Sequence, residues 1–216
     1  MTTPPLQNWG GGNVIRQLGS NRSIVFLVEV QGARFVARHF NQSDASFRWV
    51  LKAQDFARRS GFIVPTLLPN VDGNLRVDHW TLEAYFPGPP AGDFAMQRAM
   101  NSIRKFHRLS RRMPERPGFP AMIDNVQKLV KVPDFPGHSR SVVHGDFHSG
   151  NIIELPNGRL VLIDWEEARL DSVSFDLMRP GSRQHLAYEV VSCWEKEQLY
   201  ARQNMQRLRR TSRPAR

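Results

Sequence analysis

The chain is poor in cysteine and short of acid. Its single cysteine, Cys193, can close no intrachain disulfide, which excludes the disulfide-stapled secreted domains and fits a reducing compartment. As a lone thiol it reads as a small buried hydrophobe. No apolar stretch approaches the ~20 residues a membrane-spanning helix needs. Residues 1–8, Met-Thr-Thr-Pro-Pro-Leu-Gln-Asn, have neither the basic nor the apolar segment of a secretory leader. Together these absences point to a cytoplasmic protein.

The acid shortage is marked: 20 Asp and Glu stand against 30 Lys and Arg, for a net charge of +10. The excess gathers in residues 104–116 and in the tail arginines Arg202, Arg207, Arg209, Arg210, Arg213 and Arg216. No aromatic residues interleave with these arginines. They read first as a solvated helix end and second as an RNA or membrane-surface contact. Few carboxylates in the distal half disfavour a polycationic ligand and suit a neutral or anionic one.

What is present is enough for a folded core. At 216 residues and 40% hydrophobic, the chain can form one compact domain or two small lobes. Its most informative stretch begins at His144-Gly145-Asp146 and runs through Asn151 to Asp164. Residues 152–155 and 160–163 are short β-rich runs around Pro156-Asn157-Gly158-Arg159, and Asn-Gly is a strong hairpin signal. A two-residue turn at Asn157 and Gly158 would set Leu155 opposite Leu160 and Asn151 opposite Asp164, with Cα atoms about 4.5–5.5 Å apart. An amide oxygen and a carboxylate would then converge, a pairing that suits Mg²⁺ with its preference for oxygen ligands. Asp146, in the loop opened by Gly145, can approach the same point from the other side. In phosphoryl transfer such a loop aspartate orients the attacking hydroxyl and accepts its proton.

His144-Gly145-Asp146 with Asn151, then Ile163-Asp164-Trp165-Glu166-Glu167-Ala168 and Phe175-Asp176-Leu177, resemble the aminoglycoside phosphotransferase and choline kinase-like family, with a shortened C-terminal lobe. The resemblance implies an α+β, protein kinase-like fold in two lobes. Residues 1–86 would form a small antiparallel β-sheet N-lobe that holds the nucleotide, and residues 87–216 a mainly helical C-lobe with the catalytic β-hairpin. It further implies ATP and Mg²⁺, and transfer of the γ-phosphate to a hydroxyl of a small molecule. Carried over residue by residue, Asp146 is the catalytic base, Asn151 and Asp164 hold the metal, and His144 and Asp176 brace the catalytic loop.

Within the first lobe, residues 14–18, 24–30 and 33–38 read as three strands, with a small-residue loop between the first two. Gly19, Ser20 and Ser23 of that loop are candidate phosphate contacts, because small side chains let backbone N–H groups come close. Arg38 stands where protein kinases carry the strand lysine that pairs phosphates, and its planar fork can hold phosphate oxygens. A helix then starts at the cap Ser43 and ends at Gly61, with Phe47, Val50, Leu51 and Gln54 on one face. It lacks the kinase glutamate that pairs the strand cation, and Asp55 is the nearest substitute. Residues 81–88, Thr-Leu-Glu-Ala-Tyr-Phe-Pro-Gly, resemble the interlobe hinge, with Glu83 and Tyr85 as candidate adenine-side positions. A helix over residues 94–112 carries Met96, Met100, Ile103, Phe106 and Leu109 as its apolar stripe, with His107 structural. A second function class, a nucleotide-binding pseudokinase or regulatory module, follows from the missing glutamate and short C-lobe.

Overall fold

The computed structural model describes residues 3–18, 24–130, 139–195 and 197–211. The candidate phosphate contacts Gly19, Ser20 and Ser23, and the tail arginines Arg213 and Arg216, lie outside the described residues.

The N-terminal half is built around an antiparallel five-stranded sheet. Its strands are β1 (Asn13–Gln17), β2 (Val25–Val30), β3 (Ala33–His39), β4 (Leu67–Leu68) and β5 (Trp80–Ala84), in the spatial order β1-β2-β3-β5-β4. β2 and β3 form a hairpin through Gln31 and Gly32, both at positive φ, as a tight two-residue turn requires. A 3₁₀ turn, Leu6–Trp9, precedes β1 and closes one face of the sheet. Leu6 and Trp9 pack with Val28, Val30, Ala37, Trp80 and Leu82, and the Trp9 indole donates to the Leu68 carbonyl at 2.9 Å.

Helix α1 (Asp44–Ser60) follows β3. Ser43 caps it by accepting from the Ser46 N–H at 3.2 Å, and Gly61 ends it in the left-handed conformation. Small residues let it pack closely. The face it buries includes Ser46, Trp49, Val50, Ala53, Gln54 and Ala57, with Phe56 and the expected Phe47 at the margin. Helix α2 (Asp93–Ser110) buries Ala95, Ala99, Ile103, Phe106, His107 and Ser110. The expected stripe is therefore rotated by about one position at its start, and Met96 and Met100 sit on the core's edge. Bulky residues flank the buried row because the two helices can meet closely only over small ones.

The remaining elements are α3 (Ile123–Val130), β6 (Arg140–Val143), β7 (Ile152–Glu154), β8 (Leu160–Leu162), β9 (Arg169–Ser172), α4 (Ser174–Leu177), α5 (Arg183–Cys193) and α6 (Gln198–Thr211). β6 pairs with β9 and β7 with β8, each antiparallel. Ile63, just past α1, donates to the Leu160 carbonyl at 2.8 Å and accepts from Leu162 at 2.9 Å, tying the β7–β8 hairpin to the first half. Val126, Phe175, Leu186, Ala187, Tyr188 and Leu208 make a separate core for the last helices. No helix among the described residues is long and apolar enough to cross a membrane.

The hairpin corrects the expected register. Glu154 faces Leu160, Ile152 faces Leu162, and the Asn151 carbonyl accepts from Ile163 N–H at 3.0 Å. Asn151 thus pairs with Ile163, one residue short of Asp164. The cause is the turn: only Gly158 takes positive φ, at 76°, and the Leu155 carbonyl accepts from Gly158 at 2.8 Å. Pro156-Asn157-Gly158 is a three-residue loop ending in a left-handed glycine, the next most common hairpin connection after the two-residue turn. A one-residue slip reverses which face a side chain takes. Here Asp164 leaves the strand at φ 66°, which re-aims its carboxylate.

Replacing Trp9 by Ala removes a fully buried indole and its hydrogen bond and should cost about 3–5 kcal/mol. Urea denaturation of the variant checks this, and an unchanged midpoint would show that the N-terminal turn contributes nothing to the sheet.

Candidate active site

The loop after β6 is held from three directions. Asp176, on α4, is buried and uses both oxygens: Oδ2 accepts from the His144 N–H at 2.8 Å, and Oδ1 from the Gly145 N–H at 3.0 Å. The same Oδ2 lies 2.8 Å from His107 Nε2 on α2. From α5, the Tyr188 hydroxyl donates to the Gly145 carbonyl at 2.5 Å. Gly145 itself stands at φ 82°, and a Cβ there would lie 2.5 Å from the Glu167 carbonyl oxygen, so only glycine fits. His144 is fully buried and 4.9 Å, edge to face, from Trp165. Its Nε2 is 3.0 Å from the Ile163 carbonyl. A carbonyl can only accept, so Nε2 carries the proton.

The aspartate that follows is positioned by two neighbours. Asn151 donates through Nδ2 to the Asp146 carbonyl at 2.9 Å and to its Oδ2 at 2.8 Å. Its own Oδ1 has no hydrogen-bond donor among the described residues. His148 Nδ1 accepts from the Gly150 N–H at 3.0 Å, which leaves Nε2 to donate toward Asp146 Oδ1, 3.5 Å away. Burial alone would raise the Asp146 carboxyl. His148, His144 and the Asn151 amide outweigh it and hold the group below the ordinary 3.8. His148 moves the other way, raised from 6.5 chiefly by its hydrogen bond to Asp146.

Across the cleft Arg38, 7% exposed, meets three carboxylates. Its Nη1 donates to Asp164 Oδ1 at 3.2 Å and to Glu166 Oε1 at 3.0 Å, and its Nε lies 3.4 Å from Glu83 Oε1. Burial works against this guanidinium, but Glu83, Asp164 and Glu166 together raise its pKa above the already high ordinary value. Burial raises Glu83 and Glu166. Glu83 reaches Arg38 because β5 pairs with β3: Glu83 faces Val36 while Arg38 faces Thr81, so the two are diagonal neighbours on one face. The side chain of Glu83, a candidate adenine-side position, is thus a partner of Arg38, and Glu83 and Tyr85 both line the cleft. The suggested substitute Asp55 does not reach Arg38; it is exposed and pairs with Arg58 at 2.6 Å. Gln54 instead borders the same narrow gap as Arg38, Glu83 and Glu166.

Two hollows border these groups. A cleft of about 300 Å³ is walled by Leu18, Val25, Val36, Pro65, Ala84, Tyr85, Phe86, Ile153 and Ile163, with Arg38, Glu83 and Asp164 at its polar end. A second, of about 330 Å³, has Asp146 and His148 on its wall with Phe147, Phe175, Met178, Pro180, His185, Tyr188, Glu189 and Tyr200. The first has the apolar slot that a nucleotide base needs, with one guanidinium held among carboxylates at its polar end. The donors also suit Mg²⁺. Asn151 Oδ1 and the Asp164 carboxylate are hard oxygens, and three carboxylates around one arginine leave two negative charges that a divalent cation would offset. No cluster of three His, Cys, Asp or Glu among the described residues could hold a metal alone, so phosphate oxygens and water would complete its shell.

A family model described as "Phosphotransferase enzyme family" matches residues 86–209. The chain belongs to this family. No curated protein matches it in sequence. Solved phosphotransferases match it in fold. A choline kinase from Streptococcus pneumoniae superposes with a TM-score of 0.59 at 15% identity, over 92% of this chain and 92% of that one. A spectinomycin phosphotransferase, solved with ADP and spectinomycin, gives 0.56 at 11% identity over 97% and 92%. A microcompartment-associated aminopropanol kinase gives 0.58 at 13% over 98% and 80%. At these identities the likeness establishes the fold: an N-terminal antiparallel sheet and a helical C-terminal part, as the motifs led us to expect.

Sequence reasoning missed three groups that shape this phosphotransferase site: Glu166 as a partner of Arg38, and Tyr188 and His148 as supports of the loop; His107, expected to be structural, supports it through Asp176. His148, two residues after Asp146, was the one a local pattern could have exposed.

Asp176→Ala leaves three buried donors without an acceptor and should destabilise the fold by about 3–5 kcal/mol; chemical denaturation measures it. His148→Ala should move the Asp146 carboxyl upward, which ¹³C carboxyl NMR reads directly; an unmoved titration would remove His148 from the account. The sign follows from linkage. The raised His148 contributes stability below its ordinary 6.5 and loses it as pH rises through the folded value, and the lowered Asp146 contributes above 3.8 and loses it as pH falls through its own. The pair therefore stabilises most between those limits.

Proposed function

We propose that this chain is an ATP- and Mg²⁺-dependent phosphotransferase that moves the γ-phosphate to the hydroxyl of a small, singly cationic amino alcohol. The observation that carries this is the pair of hollows, Asp164 and Arg38 bordering the first and Asp146 the second, with Asn151, which holds Asp146, paired to Ile163 next to Asp164. In this reading residues 1–86 and 87–216 are the nucleotide and acceptor lobes, and the compartment is the cytoplasm, where ATP is supplied. Gly19, Ser20 and Ser23 are proposed to cover the phosphates.

Asp146 accepts the proton of the acceptor hydroxyl while the hydroxyl oxygen bonds the terminal phosphorus and the bond to the departing ADP oxygen breaks. Its depressed pKa keeps it ionised at neutral pH, and Asn151 and His148 hold its two oxygens in place. Arg38 gathers phosphate oxygens, and Asn151 and Asp164 would hold Mg²⁺, which neutralises charge on the transferring group. His144 and Asp176 keep the loop in register.

The acceptor's charge follows from the hollow and not from the whole chain. The net charge of +10 favoured a neutral or anionic acceptor, but the exposed arginines on α2 and α6 lie outside this wall. Its lining holds two carboxylates, Asp146 and Glu189, and no Lys or Arg. An anionic acceptor would find only His148 and His185 there, each already beside a carboxylate, Asp146 and Glu189. Glu189, 3.7 Å from His185, stands among Phe175, Tyr188 and Tyr200, the carboxylate and aromatic faces that attract an ammonium group. At about 330 Å³ the space is at the small end of ligand pockets. The choline kinase and aminopropanol kinase of like fold support this choice. A nucleotide-binding module without transfer is the second reading, favoured by Gln54 in place of a helix acid.

Transfer of γ-labelled phosphate from Mg·ATP to separate pools of amino alcohols, sugars and hydroxy acids tests both. Labelling should appear with the amino alcohols, and Asp146→Asn should lower it about 10²–10⁴-fold. Labelling of hydroxy acids alone would overturn the acceptor class, and ATP binding with no transfer would favour the second reading.

A further inference from the structure

Helix α1 carries no acid that reaches Arg38, yet something must set its position against the metal side of the cleft. Arg116, in the loop between α2 and α3, is 2% exposed and meets both sides at once. On the α1 side its Nε donates to Ser46 Oγ at 2.8 Å, and its Nη2 donates to the side-chain oxygen of Gln42, the residue before the cap. On the other side its Nη1 donates to the carbonyls of Glu166 at 2.8 Å and Ala168 at 2.5 Å. The guanidinium lies 3.8 Å from the centre of the Phe119 ring. It makes no salt bridge with a carboxylate among the described residues.

A buried cation in no direct ion pair is costly; burial and Arg169 lower the Arg116 pKa, and the more distant charges of Glu167 and Glu166 only partly oppose them. A hydrophobic residue would fill the same space without that cost. What a hydrophobe cannot do is join four acceptors on two segments, which is the use of a rigid planar fork. One of those segments is Glu166, whose backbone oxygen takes Arg116 and whose carboxylate takes Arg38 Nη1 at 3.0 Å. The same Nη1 holds Asp164.

We propose that Arg116 is a positioning residue that couples helix α1 to Arg38 and Asp164 through Glu166, in place of the direct glutamate-to-strand-cation pair of protein kinases. This rests on the reading of Arg38 and Asp164 as the phosphate and metal side of the nucleotide site. Helix α1 is then registered at its N-terminal turn, by Gln42 and Ser46, instead of at its middle, where Gln54 stands. Loss of the clamp frees Glu166 and with it Arg38, so the phosphate end of the site loosens while the apolar adenine wall is untouched.

Calorimetric titration of the full chain with Mg·ATP and, separately, with adenosine tests this. Two variants are compared with the parent: Arg116→Met, and the double substitution Gln42→Ala with Ser46→Ala, which leaves Arg116 in place and guards against a folding failure of the first. The parent should bind Mg·ATP more tightly than adenosine. In the variants that preference should fall at least tenfold, with adenosine affinity within about twofold of the parent. An unchanged preference in the double variant overturns the coupling, and so does an equal loss for both ligands, the mark of a purely structural role. If the parent shows no preference for Mg·ATP, the reading of Arg38 and Asp164 fails and the coupling fails with it.

Discussion

The Asp176 carboxylate is the point on which the site hangs. Two consecutive backbone N–H groups and one histidine nitrogen end on its two oxygens, away from water, where such bonds are at their strongest and their loss most costly. Through them a four-residue helix late in the chain fixes the end of β6, and His107 brings α2 into the same arrangement. The loop that leaves this anchor can turn only because Gly145 has no side chain. The orientation of Asp146 is therefore a consequence of burial and hydrogen bonding several residues away.

A second constraint is charge. Arg38 stands among Glu83, Asp164 and Glu166 in a place where burial already penalises the Glu83 and Glu166 carboxylates. One cation does not balance three anions. The surplus gives a divalent cation a reason to bind, and makes Arg38 a hub whose geometry depends on two different strands and on the segment after β8. Arg116 holds that segment by its backbone, so the positions of α1 and the Arg38 cluster are mechanically joined.

Net charge and local charge diverge in this protein. Most of the basic excess is on exposed helical faces, while the hollow beside Asp146 is lined by carboxylates and aromatic rings. Solvent and salt screen charges more than about 10 Å apart, so a pocket responds to its own wall and not to the sum over the chain.

The amino-acid sequence by itself determined the elements and the family. Alternating strands, the Ser43 and Gly61 helix limits, and the spacing of His144, Asp146, Asn151, Asp164 and Asp176 are local patterns, and the fold agrees with them. The one-residue error in the β7–β8 register was also local, since Asn-Gly permits a two-residue or a three-residue loop and only the backbone selects between them. Tertiary structure alone decided the partners. Glu83 reaches Arg38 because β5 lies beside β3, which it does not follow in sequence, and His107 reaches Asp176 across 69 residues. Arg116 could be seen beforehand only as one more surface charge. Its burial depends on Phe119, Trp49 and Phe40 closing around it, and contacts between distant segments have no periodicity for a sequence to display.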